Sequence, residues 1–182
     1  MAEDSLRTLF AGRHLHLVDR DGWEFATRPN SSAVVMIAAV TDDRKLVFVE
    51  QFRPPVGKTV IELPAGLVGD QPDSRDESPL EGARRELLEE TGYEASEWRT
   101  LIASPPTPGL TDELMIFLLA TGLTRVTNGG GDGDEKITVH LVPIDDAERW
   151  FEEQMEEDKL IGVPAIAGLA LARSATTNGF AN

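Results

Sequence analysis

Between Ser78 and Gly92 the chain reads SPLEGARRELLEETG, and no other stretch restricts the fold as tightly. Ser78 suits an N-cap, Pro79 takes the first helical position, where a missing N–H costs nothing, and Glu81 completes a capping box. Gly92 supplies the stop, so the spacing predicts a helix over Pro79–Thr91. At about 100° per residue, Leu80, Ala83, Leu87 and Thr91 share an arc of roughly 80°, the stripe that must be buried. Such a stripe has to pack against a sheet or another helix. Glu90 stands beside it, Glu86 about 40° further round, and Glu89 about 100° beyond Glu90.

That placement is unfavourable by itself. Like charges one turn apart repel by roughly 0.2–0.5 kcal/mol, and Glu89 and Glu90 sit where the helix dipole favours cations. One reading is a solvated acidic face, relieved by Arg84 and by an Arg85–Glu89 pair. The other is a divalent cation, which removes all of these penalties together. With no cysteine in the chain, disulfides, thiolate zinc sites and cysteine nucleophiles are excluded, and carboxylate oxygens select Mg²⁺, Mn²⁺ or Ca²⁺. A net charge of −15 argues against nucleic acid and anionic membrane surfaces as partners. An anionic ligand would need a cation to mediate.

Around this helix, strands are predicted at Leu15–Asp19, Trp23–Arg28, Ala33–Val40, Leu46–Phe52, Thr59–Leu63, Leu114–Thr121 and Ile137–Pro143. Arg20-Asp21-Gly22 reads as a turn, and Thr41–Lys45 as a hairpin between the third and fourth strands. A second helix is expected from an Asp145 or Asp146 cap to about Glu157, with Trp150 and Phe151 inward, and a third over Pro164–Arg173. The tract Thr127–Glu135, TNGGGDGDE, reads as a mobile loop. With 41% hydrophobic residues and no apolar run of membrane length, the expectation is a soluble, cytoplasmic α/β or α+β layered domain.

The run from Glu77 through Arg85-Glu86-Leu87-Leu88-Glu89-Glu90-Thr91-Gly92-Tyr93 resembles the Nudix box, G-x5-E-x7-R-E-U-x-E-E-x-G-U, with U a bulky apolar residue. It matches throughout from Glu77 onward. Upstream, ten residues separate Gly66 from Glu77 where five belong, so LVGDQPDSRD reads as a lengthened loop. The resemblance implies an α/β/α sandwich with a mixed sheet over residues 31–182, plus a small N-terminal antiparallel sheet over 1–30 that serves dimerisation and base binding. It implies Mg²⁺, or Mn²⁺, held by Glu86 and Glu90, with Glu89 and the Ala65 carbonyl as further ligands. Arg85, and Glu77 with it, would orient the glutamates.

Other stretches are similar to the ADP-ribose and nucleotide-sugar branch of that family. VEQFR and TVIELPAG imply substrate contacts from Arg53 and Glu62. SPPTPGLTDE, with Pro108 sixteen residues after Gly92, implies contacts from Pro108 and Glu113. Phe25 and Arg28, with Trp23, fall where relatives grip the base. Asp134–His140 resembles the segment carrying the general base, here Glu135, with Glu89 and Glu113 as competitors. The implied activity is hydrolysis of a nucleoside diphosphate sugar by a homodimer, with ADP-ribose first and GDP-mannose or broad specificity next. The alternatives are another nucleoside diphosphate derivative, or a nucleotide-binding or regulatory module without turnover. His14, His16 and His140 are scattered and imply no metal site.

Overall fold

The computed structural model describes residues 6–70, 75–131 and 136–177. Leu6–Ala11 (β1), His16–Arg20 (β2) and Trp23–Thr27 (β3) form an antiparallel sheet in chain order. Asp21 and Gly22 link β2 to β3 with φ of 55° and 87°, the two-residue turn whose twist matches that of the strands.

Two four-stranded sheets make the centre. One has the order Ala65–Val68 (β7), Ala33–Ala39 (β4), Met115–Arg125 (β9), Tyr93–Ser104 (β8), with β4 and β9 parallel and the other pairs antiparallel. The other has the order Thr138–Pro143 (β10), Lys45–Arg53 (β5), Lys58–Glu62 (β6), Leu160–Ile161 (β11), parallel only at its last pair. Helices Pro79–Thr91 (α1), Ala147–Glu156 (α2) and Val163–Thr177 (α3) cover them.

Strand β4, AVVMIAA, is apolar on both faces because both are covered. Ala33, Val35, Ile37 and Ala39 pack with Val68, Ala83, Leu87 and Leu118 beneath α1. Ala38 and Val40 join Phe48, Ile61, Leu63, Phe117, Phe151 and Leu169 on the side of α2 and α3. The result is the expected α/β/α sandwich of mixed sheets with a small antiparallel sheet at its N-terminal end.

Several expectations need correction. The TDDRK turn does not join neighbouring strands of one sheet: beyond a single Val40–Leu46 bridge, β4 and β5 lie in different sheets. Asp146 precedes α2 with helical dihedrals and no side-chain cap, because a 3-10 turn over Ile144–Asp146 leads straight in. Leu80, placed on the buried stripe, is 36% exposed, whereas Ala83, Leu87 and Thr91 are fully buried. Part of the lengthened loop, Leu67 and Val68, is strand β7. Strands β1, β8 and β11 were not anticipated.

Candidate active site

Helix α1 carries the acidic cluster and is capped as its sequence requires: Ser78 accepts from the Glu81 N–H, and Glu81 accepts from the Ser78 N–H. Arg85 is the hub. Its Nε and Nη2 donate to the two Glu77 oxygens at 3.0 and 3.2 Å, and Nη1 to Glu86 at 2.7 Å and Glu89 at 3.2 Å. Nη2 also donates to the Leu67 carbonyl at 3.0 Å, which ties the helix to β7. Glu77 accepts from the Gly69 N–H as well, and the Arg85 guanidinium beside it holds its carboxyl below the usual range. Glu77 in turn keeps Arg85 charged far above its ordinary range.

Glu90 is 6% exposed, and its Oε2 accepts from the Ala65 N–H at 3.1 Å. Glu86 lies against Gly66 so closely that a Cβ there would stand 1.9 Å from Glu86 Oε1. The glycine is therefore a cradle for this carboxylate. Burial pushes the Glu86 carboxyl up to about 7, against the pull of Arg85. Among the described residues no three acidic or histidine side chains converge as a ready-made metal cluster. The donors nevertheless fit a hard divalent cation. They are all oxygen, they include the desolvated Glu86 carboxylate, and they lie beside the Ala65–Gly66 backbone; magnesium ordinarily takes part of its shell from water and substrate.

The described part of the glycine tract, residues 127–131, is docked on α1, and residues 132–135 of the predicted mobile loop lie outside the described residues. Gly129, Gly130 and Gly131, all at positive φ, wrap the C-terminal end of α1. The N–H groups of Gly130 and Gly131 donate to the carbonyls of Glu90 and Glu89 at 2.8 and 3.1 Å. They satisfy a helix end that has no basic residue in its last turn. A Cβ on Gly129 would meet the backbone of Thr91 at 2.4 Å, so only glycine docks here. Glu135, read as the general base, lies outside the described residues.

The other predicted site residues fall into two ion pairs. Arg53 Nε donates to Glu62 Oε2 and Arg28 Nε to Glu113 Oε2, each at 2.6 Å. Arg53 is on β5 at the same alternation as Val47, which packs under α1, so the first pair faces the side of the acidic helix. The second pair belongs to a seam between β3 and the 107–113 loop. In this seam Trp23 donates to the Gly109 carbonyl, the Ala26 N–H to the Leu110 carbonyl, and Thr27 to Asp112. Pro108 is exposed on that loop. Phe25 is 8% exposed, with Arg20 over its ring. His140 pairs with Glu50 and packs on Trp150, on the α2 side. Sequence reasoning missed Gly66 as the Glu86 cradle and Asp112 as the Thr27 partner. A glycine next to the opening of the box was the available signal for the first, and nothing local marks the second.

The NUDIX domain family matches residues 30–161. The chain belongs to the NUDIX family. It is 36% identical over 132 residues to the methanol dehydrogenase activator of Bacillus methanolicus, covering 72% of this chain and 67% of that one. It is 37% identical over 148 residues to the ADP-ribose pyrophosphatase of Mycobacterium tuberculosis, covering 81% and 67%. A solved structure described as an ADP compounds hydrolase shares the fold, with a TM-score of 0.71 at 20% identity over 97% of this chain and 94% of that one. The chain is an enzyme, a NUDIX hydrolase. NUDIX hydrolases generally use divalent metal ions, which agrees with the donor set on α1. No helix among the described residues is long and apolar enough to cross a membrane.

Two outcomes follow for the NUDIX helix. In Gly66→Ala the new Cβ would overlap the Glu86 side chain from Cγ to Oε1, and this flexible side chain has to move. The fold should survive within a few degrees of thermal midpoint while activity drops about a hundredfold or more, roughly 2.7 kcal/mol of barrier; parallel melting and turnover measurements check this. The second concerns pH. Glu86 titrates near 7 in the folded chain but near its ordinary 4.5 when unfolded, so above 4.5 the unfolded chain binds fewer protons. This group's stabilisation is thus complete below 4.5 and is lost as pH rises through 7. Melting curves in chelator should show that loss, and Glu86→Gln should flatten it.

Proposed function

We propose that the chain hydrolyses the pyrophosphate bond of a nucleoside diphosphate sugar, ADP-ribose first, to a nucleoside monophosphate and a sugar phosphate, with Mg²⁺ as cofactor. The observation that carries this reading is the complete carboxylate set of α1, held by Arg85 around the Ala65–Gly66 backbone. Identity of 37% to an ADP-ribose pyrophosphatase supports the substrate, and the paired Arg53–Glu62 and Arg28–Glu113 give charged groups of both signs for a diphosphate and its sugar hydroxyls.

Glu86 and Glu90 would hold the magnesium, with Glu89 and the Ala65 carbonyl completing the protein's share. When bound, the ion supplies Lewis acidity toward the phosphoryl oxygens and offsets the leaving phosphate's charge. Arg85 keeps Glu86 and Glu89 oriented without touching substrate. Water attacks one phosphorus in line, its proton passes to a carboxylate, and the P–O bond to the other phosphate breaks. Glu135 is that carboxylate in our reading, with Glu89 and Glu113 as the alternatives. Arg53, Glu62, Arg28, Pro108 and Glu113 bind the substrate's ends.

The enzyme works in the cytoplasm as a homodimer joined through its N-terminal region, residues 1–30, on this reading. Support comes from the small sheet and its turn, where Leu6, Phe10, Leu15 and Trp23 are 46–67% exposed, an apolar surface unsuited to water. A regulatory role is the second reading, because one relative at 36% identity is named an activator of methanol dehydrogenase. The test is incubation with ADP-ribose and Mg²⁺ and measurement of AMP, followed by GDP-mannose and other sugar nucleotides. AMP release dependent on the metal is expected. No nucleoside monophosphate from any sugar nucleotide, with the fold intact, would sink the hydrolase reading.

A further inference from the structure

Strand β3 is an edge of the small sheet, whose order is β1-β2-β3. An edge strand leaves a row of backbone groups open to another segment, and here the 107–113 loop takes up part of that row. The two run parallel, with a bridge between Ala26 and Thr111. Hydrogen bonds follow in step along them: Trp23 to Gly109, Ala26 to Leu110, Thr27 to Asp112 and Arg28 to Glu113. In each of these the donor lies in residues 23–28 and the acceptor in the loop.

The sequence explains that polarity. Pro105, Pro106 and Pro108 have no N–H to give. The N–H groups of Leu110 and Thr111 turn back to the Thr107 carbonyl, and that of Glu113 to the Thr111 hydroxyl. The loop is left rich in acceptors, and β3 supplies the donors that hold it down. Two of those acceptors are carboxylates with different surroundings. Glu113 pairs with Arg28, and both are assigned above to the substrate's ends. Its neighbour Asp112 is exposed and accepts from the Thr27 hydroxyl at 3.0 Å. Both pairs line a cavity of about 130 Å³, which Ser31 and Ser32 also border. A substrate hydroxyl or phosphate entering there competes with the Arg28–Glu113 bond, since each partner has to exchange the other for the substrate. When that bond opens, the residue next to Glu113 is still tied to β3 through Thr27.

We infer that Thr27 and Asp112 are positioning residues for substrate binding: their hydrogen bond keeps the 107–113 loop on β3 while Arg28 and Glu113 release each other to take the substrate. The inference rests on the hydrolase reading, and it gives the small N-terminal sheet a part in substrate binding within one protomer.

Thr27→Val keeps the β-branched shape and deletes only the hydroxyl. It should raise KM for ADP-ribose about fivefold, the size of one hydrogen bond, with kcat within about twofold and Tm within about 2 °C of wild type. Thr27→Ser keeps the hydroxyl and should stay within about twofold of the wild-type KM, as should Asp112→Asn, which keeps an acceptor oxygen. Asp112→Ala should match Thr27→Val, and the double variant should be no worse than either alone, because both changes delete the same bond. A KM rise below threefold in Thr27→Val, a loss of kcat or Tm beyond those limits, no recovery in Thr27→Ser, or effects that multiply in the double variant overturns the inference and leaves the hydrolase reading intact. If wild type cleaves no ADP-ribose, the hydrolase reading fails for that substrate. Calorimetric titration with ADP-ribose in chelator then decides the positioning role: binding at least threefold weaker in Thr27→Val and recovered in Thr27→Ser supports it, and equal or absent binding overturns it.

Discussion

Glu90→Gln lowers kcat by about a thousandfold or more while leaving the fold in place, a loss of ~4 kcal/mol of transition-state stabilisation. The glutamine keeps the volume of the side chain, and its amide oxygen can still accept from the Ala65 N–H, the bond that Glu90 makes now at 3.1 Å. What it cannot supply is the negative charge that a hard cation requires of its principal ligand. Glu90 is also 6% exposed, so water has little access from which to replace the missing charge. The measurement is steady-state turnover across a range of Mg²⁺ or Mn²⁺ concentrations, with circular dichroism and a melting curve on the same sample. Activity within tenfold of wild type would refute Glu90 as a principal ligand.

Arg85→Ala should be the most destabilising single change at the site. The guanidinium is 20% exposed and serves Glu77, Glu86, Glu89 and the Leu67 carbonyl at once. Removing it leaves the Glu77 and Glu86 side chains, 8% and 14% exposed, without the counter-charge they share. Breaking a buried pair by deleting one partner costs about 3–5 kcal/mol, and the partial exposure here places the expectation near ~3 kcal/mol. For a chain of this size that is a fall in Tm of roughly 6–12 °C. Arg85→Lys should recover only part of it, because a single ammonium cannot bond both Glu77 oxygens and still reach Glu86 and the Leu67 carbonyl. Thermal and urea unfolding in chelator measure this. A Tm within 2 °C of wild type would mean that the network holds nothing together.

The parts legible in the sequence were those whose causes are local. Helix α1 has the predicted bounds because its cap and first-turn proline at one end, and its terminal glycine at the other, each act on backbone groups within four residues of themselves. The alternation of β2, β3 and β5, and the turn at Asp21–Gly22, follow for the same reason. Strand β8 escaped notice although it is 12 residues long. Its exposed positions carry Glu94 and Glu97, and an irregularity between Thr100 and Ile102 shifts the phase of the alternation. Strand β11 is two residues that are a strand only because β6 lies beside them.

By itself, then, the sequence determined the acidic helix, the family to which it belongs and the all-oxygen chemistry it can perform, since these depend on residue type at fixed helical spacing. Tertiary structure alone decided how the charges are accommodated. It brought Leu67 and Gly66 of β7 against Arg85 and Glu86, and it folded three glycines from beyond β9 back onto the carbonyls of Glu89 and Glu90. Burial, close approach and electrostatic neighbourhood are properties of residues distant in sequence, and no local pattern encodes them.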